Sequence, residues 1–172
     1  DSAWFTVYFC GNHEFLLDGV PNLDARIAYW YFANGISPAM VLKMVGVGSQ
    51  YAAAMVDSEG KPLDGRKTYK VHLPPNIPAK DFWSFAVYDN QTRTMLQTDQ
   101  QFPSISNNTK YIVINPDTSV DIWFGPTAPK GHETNWLQTI PGKGWFTFLR
   151  LYAPLEPWFD KTWRPGEIEL VK

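Results

Sequence analysis

The densest group of side chains capable of chemistry lies between Asp89 and Gln101. It runs Asp89-Asn90-Gln91-Thr92-Arg93, then Gln97-Thr98-Asp99-Gln100-Gln101, around the apolar pair Met95-Leu96. Two carboxylates, one guanidinium and several amides could hold a polar ligand such as a sugar, through Asp89, Asn90, Arg93, Gln97 and Asp99. Asp89 and Asp99 could instead share acid–base work. The plainer reading is a solvated hairpin whose Asp and Asn side chains cap turns. The three histidines, His13, His72 and His132, are far apart and form no close pair. A metal site usually shows local ligand spacing, so none is expected, and no cofactor is implied. No Gly-x-Ser-x-Gly occurs, and Gly46-Val47-Gly48 lacks the third glycine of a dinucleotide loop. Cys10 follows an apolar stretch and reads as a small buried hydrophobe.

Aromatic residues are the second candidate feature. Eight tryptophans occur, with Trp136, Trp145, Trp158 and Trp163 toward the C-terminus. Indole faces stack on sugars, and Trp136, Trp158 and Trp163 are accordingly candidate ligand contacts; the alternative is packing, because a Trp buries a large area and needs one hydrogen-bond partner. Trp158 and Trp163 sit in a tail framed by Pro154, Pro157 and Pro165, which reads as surface-running chain. Fifteen basic and 17 acidic residues give a formal net charge of -2. That balance excludes the basic footprint of a nucleic-acid binder, and no apolar run approaches the ~18 residues of a membrane span.

These residues need a scaffold, and period-two patterning supplies one. Lys67 to Leu73 alternates, with Tyr69, Val71 and Leu73 on one face and Lys70 and His72 on the other. Residues 82–88 are apolar on both faces and read as a central strand, and 145–152 read as a second strongly apolar strand with Arg150 as its one charge. Further strands are expected at 4–9, 14–17, 51–56, 111–115, 120–124 and 168–171, the pair 111–115 and 120–124 forming a hairpin about Asn115-Pro116-Asp117. Residues 23–33 read as a helix buried on more than one face, capped by Asn22 and ended by Gly35; a second short helix is expected over 38–45 behind Ser37-Pro38. Short strands spaced by Gly, Pro, Asp and Asn turns predict a mainly β fold, an antiparallel sandwich or barrel with a short helical block near the N-terminus. The opening at Asp1 on apolar chain suggests a piece of a longer protein, residues 1–47 linking to a missing domain and 48–172 forming the β-sandwich.

The stretches Gly48-Ser49-Gln50-Tyr51, Tyr69-Lys70-Val71-His72-Leu73-Pro74, Tyr88-Asp89-Asn90-Gln91-Thr92-Arg93, 135–145 and 151–163 carry a resemblance. They are similar to the bacterial family catalogued as domain of unknown function 1214. The resemblance implies a jelly-roll-like sandwich, an N-terminal partner domain (domain of unknown function 1254) and a periplasmic or cell-envelope location. It supplies no catalytic residues. One departure stands out: the family commonly has Gly where this chain has Ala153, a costly exchange if that position needs a positive φ, and a tolerated one if the glycine serves close packing and the methyl fits. The expected function is a binding or assembly module of the envelope, forming a homo-oligomer or docking on the N-terminal domain and holding a carbohydrate-like ligand. The alternative is a hydrolase or lyase for carbohydrate-like substrates using Asp89, Arg93, Asp99 and His72, its site shared with the missing domain.

Overall fold

The computed structural model describes residues 2–6, 8, 12, 14–33 and 42–172, with residues 31–33 described in backbone only. Cys10, His13, Gly35 and the first half of the expected second helix lie outside the described residues; Leu42 to Val45 are bend, turn and irregular chain rather than helix.

Ten strands in chain order form the framework: β1 (Leu16–Leu17), β2 (Val20–Pro21), β3 (Ser49–Ala54), β4 (Tyr69–Leu73), β5 (Ala79–Asp89), β6 (Ser104–Ser106), β7 (Val120–Gly125), β8 (Trp136–Gln138), β9 (Trp145–Pro154) and β10 (Ile168–Leu170). Helix α1 spans Leu23–Ala33 and a single turn, α2, spans Glu156–Phe159. β3-β9-β5-β6 make one four-stranded antiparallel sheet, and β10-β4-β7-β8 make the second; β1 and β2 form a small hairpin. Within the second sheet β7 and β8 run parallel, so the architecture is mainly β with one antiparallel and one mixed sheet. No helix among the described residues is long and apolar enough to cross a membrane.

The long strands form where alternation places large apolar side chains on one face. Tyr69, Val71 and Leu73 of β4, Phe85 and Val87 of β5, Ile122 and Phe124 of β7, and Leu149 and Leu151 of β9 are all fully buried in one core between the two sheets. Removing that apolar area from water is the main stabilising term. β9 pairs with both β3 and β5, which is why its outward side chains Phe146 and Phe148 are buried too. They meet Tyr8, Phe15 and Tyr29 from the N-terminal segment in a second cluster on the outer face of the first sheet.

Three expectations are corrected. Residues 111–115 are not a strand: Tyr111, Val113 and Ile114 are exposed, and β7 pairs with β4 and β8. The segment is held instead by Asn135, whose Nδ2 donates to Val113 O (2.8 Å) and Asp121 O (2.9 Å) while its Oδ1 accepts from Val113 N (2.8 Å). A side-chain amide thus takes the place of a ladder. Within 4–9, Phe5 makes a lone bridge to Ala53. Helix α1 has the expected bounds and cap, with Ala25 N donating to Asn22 Oδ1 at 2.9 Å. It is not buried all round, however: Tyr29 is buried while Leu23, Ile27 and Trp30 point to solvent.

Candidate functional site

The polar stretch after β5 is tied into the fold. Asp89 closes β5 and is buried. Its Oδ1 accepts from the backbone N–H of Gln91 (2.8 Å) and Thr92 (3.1 Å), and its Oδ2 meets Lys143 Nζ at 2.5 Å. The Lys143 hydrogen bond, ahead of the two backbone donors, lowers its pKa from 3.8 to about 2. The Asn90 side-chain amide lies against Gly144, where a Cβ would meet it. Arg93 adopts a positive φ of 62° and its N–H donates to Asp89 O. Gln97 is exposed. Asp99 meets Gln138: its N–H donates to Gln138 Oε1 and its Oδ2 accepts from Gln138 Nε2 at 3.0 Å. Gln100 Nε2 donates to Trp136 O, fastening the segment to β8.

The remaining sequence candidates fall in other places. His72 lies on the outer face of β4, its Nδ1 2.8 Å from Asp121 Oδ1. Trp136 is half-buried, donating Nε1 to Gly125 O at 2.9 Å. No hydrogen bond or ion pair joins Asp89, Asp99 and His72 among the described residues. No group of three or more His, Cys, Asp and Glu side chains among them could hold a metal ion.

Trp158 and Trp163 do come together. They line a pocket of about 280 Å³ with Trp4, Phe5, Lys161 and Arg164, close to the lower end of ligand-sized clefts, about 300–1,000 Å³. The pocket forms where the N-terminal segment and the C-terminal tail meet beside β3. Phe5 bridges to Ala53, and Trp4 Nε1 donates to Gly166 O at 2.8 Å. Glu167 anchors the same junction, accepting from Ser2 Oγ (2.6 Å) and Ala3 N (3.0 Å). Trp163 Nε1 donates to Pro74 O at 3.3 Å. Trp158 and Trp163 are both buried.

The electrostatics are one-sided. Lys161 Nζ lies 4.7 Å from the ring centroid of Trp158. Packing against the apolar wall, and secondarily the charge of Arg164, lowers its pKa from the usual lysine value. Neither Lys161 nor Arg164 has a carboxylate within ion-pairing distance among the described residues. Aromatic faces with two uncompensated cations at the rim suit a ring-bearing ligand that carries negative charge. Sequence reasoning found Trp158 and Trp163 but passed over Trp4, Lys161 and Arg164. The signal was the tail itself, where cations interleave with indoles.

The fold is shared with a solved structure. The VPA0106 protein of Vibrio parahaemolyticus is 24% identical, with a TM-score of 0.67 over 94% of this chain and 40% of its own. An uncharacterised protein of Burkholderia cenocepacia is 23% identical, with a TM-score of 0.47 over 72% of this chain and 29% of its own. This chain therefore spans well under half the length of either. No curated protein matches it. The family model described as protein of unknown function (DUF1214) matches residues 48–156, from β3 through the start of α2, and the chain belongs to that family.

Proposed function

We propose that this domain is a ligand-binding and assembly module whose pocket at Trp158 and Trp163 takes an acidic, carbohydrate-like ligand. One observation carries this reading: an aromatic-lined pocket large enough for a single sugar ring has Lys161 and Arg164 at its rim and no neutralising carboxylate among the described residues. The indoles would stack on the apolar face of the ring, and the cations would meet its carboxylate, sulfate or phosphate. Calorimetric titration with glucuronate and galacturonate beside glucose tests it. Saturable binding of the uronates with weaker or absent binding of glucose is expected. Equal affinity for neutral and acidic sugars, or no binding of either, refutes it.

The assembly part rests on α1. Leu23, Ile27 and Trp30 recur at i, i+4 and i+7 and are 63%, 66% and 77% exposed, an apolar stripe along one side of the helix. We read residues 1–47 as the link to an N-terminal domain that covers this stripe in a longer envelope protein, and a homo-oligomer as its product. Native mass spectrometry of the longer protein, with and without Ile27→Lys and Trp30→Lys, tests the docking: dissociation or monomerisation is expected in the variant, and an unchanged assembly refutes it. The same reading takes the distribution of consecutive strands between the two sheets as a jelly-roll-like winding. The enzyme alternative gains nothing comparable, because Asp89, Asp99 and His72 are each engaged with a different partner.

A further inference from the structure

Arg150 lies outside the pocket and has no counter-ion among the described residues. It sits at the middle of β9, pointing to the outer face of the first sheet, with Tyr51 across from it on β3 and Ser84 on β5. Its guanidinium carbon is 6.0 Å from the ring centroid of Tyr51 and 5.9 Å from that of Tyr88, and its Nη2 donates to Tyr88 Oη. No carboxylate approaches it within ion-pairing distance among the described residues, and its Nε–H is buried without an acceptor. A guanidinium carries five N–H donors. Ring faces offset only part of the cost of shielding its charge from water, and the unused donors are the remainder.

Register shows what lies beside it. Along the outer face of β5 the order is Phe82, Ser84, Ala86, Tyr88, and β6 places Ser106 next to Ser84 and Ser104 next to Ala86. Phe82 stacks on Tyr152 at 4.0 Å, and Tyr88 stacks on Phe146 at 5.2 Å. Two aromatic stacks thus flank two cross-strand rows of small residues, Ser84–Ser106 headed by Arg150 and Ala86–Ser104 headed by Phe148. The N-terminal segment covers the β3 side of this face, where Tyr51, Ala53, Phe146 and Phe148 are buried, while Phe82, Ser84, Tyr88 and Tyr152 stay half-buried. We propose that this trough is a second binding site, taking a ring-bearing carboxylate whose charge pairs with Arg150 and whose ring lies over Ser84 and Ser106, between the Phe82–Tyr152 stack and Tyr88. This site is independent of the pocket at Trp158 and Trp163.

The test follows the arginine Nε–H resonances by nitrogen–proton correlation NMR, at constant ionic strength, during titration with benzoate, acetate, benzyl alcohol or inorganic phosphate. Benzoate is expected to shift the Arg150 resonance saturably and to bind about tenfold tighter than acetate, because it adds wall contacts to the same charge. Benzyl alcohol is expected to leave the resonance unmoved. Arg150→Lys keeps the charge but loses the planar donors, and should weaken benzoate about tenfold or more. Should that variant fail to fold, Ser84→Phe fills the trough while leaving the arginine in place, and should abolish the shift. Neutralising Lys161 and Arg164 should leave the benzoate response intact, which separates this site from the pocket. An unshifted resonance, equal binding of phosphate and benzoate, or a response that survives Ser84→Phe overturns the proposal.

Discussion

Replacing Asp89 by Asn removes one negative charge and little else. The amide oxygen can still accept from Gln91 N and Thr92 N, so the turn keeps its cap while the 2.5 Å pair with Lys143 loses its charge. A carboxyl pKa lowered from 3.8 to about 2 corresponds to roughly 2 kcal/mol of folded-state stabilisation as an upper bound. Lys143 is half exposed, so solvent screening reduces this to about 1–2 kcal/mol. The sign follows from the direction of the shift. The folded pKa lies below the unfolded one, so the contribution is complete above the ordinary aspartate range and is lost as pH falls from about 4 toward 2. Urea denaturation at neutral pH should show Asp89→Asn less stable by about 1–2 kcal/mol, a fall in Tm of about 2–8 °C for a chain of this size. The same comparison near pH 2 should bring the two proteins together. Asp89→Ala strips the cap as well and should cost about 3–4 kcal/mol. An Asn variant as stable as the parent at neutral pH, or one that keeps the parent's acid-induced loss undiminished, would refute the reasoning.

Other substitutions test separate parts of the account. Ala153 holds a φ of 50° within β9, a region that costs an L-residue about 1–2 kcal/mol; after the entropy that glycine gives back to the unfolded chain, Ala153→Gly should stabilise by about 0.5–1 kcal/mol in chemical denaturation. Asn135→Ala would leave Val113 N–H and two carbonyls unpartnered; a loss of about 2–4 kcal/mol is expected, with faster hydrogen exchange at the Val113 amide. Asn22→Ala should cost about 1 kcal/mol and fray the start of α1, seen as faster exchange of the Ala25 amide.

What could be read from the sequence was whatever local pattern decides. The alternation in residues 69–73 places His72 and Lys70 outward with no further information, and Asn22 before an apolar run marks the start of α1. The glycine usual at position 153 left two readings open, a positive φ or close packing, and the backbone has a positive φ there. Pattern fails where non-local partners decide. Tyr111 to Asn115 alternates like a strand, yet its partner is the side chain of Asn135, more than 20 residues away in sequence. β8 is three residues long and takes its place through a parallel pairing with β7 and the amide of Gln100, none of which leaves a periodic trace. The pocket divides the same way. Two of its indoles were conspicuous in the tail, but Trp4 arrives from the opposite end of the chain. Arg150 was visible as the one charge in an apolar strand; that it stands between tyrosines and serines required the register of four strands.

The most direct test of the central claim is a tryptophan-fluorescence titration with glucuronate of the parent protein and of Lys161→Gln/Arg164→Gln. Both cations are exposed and unpaired among the described residues, so the double variant should fold with unchanged Tm. The account predicts saturable quenching in the parent and a loss of affinity of about tenfold or more in the variant. Equal affinity in the two proteins, or no saturable signal in the parent, would contradict it.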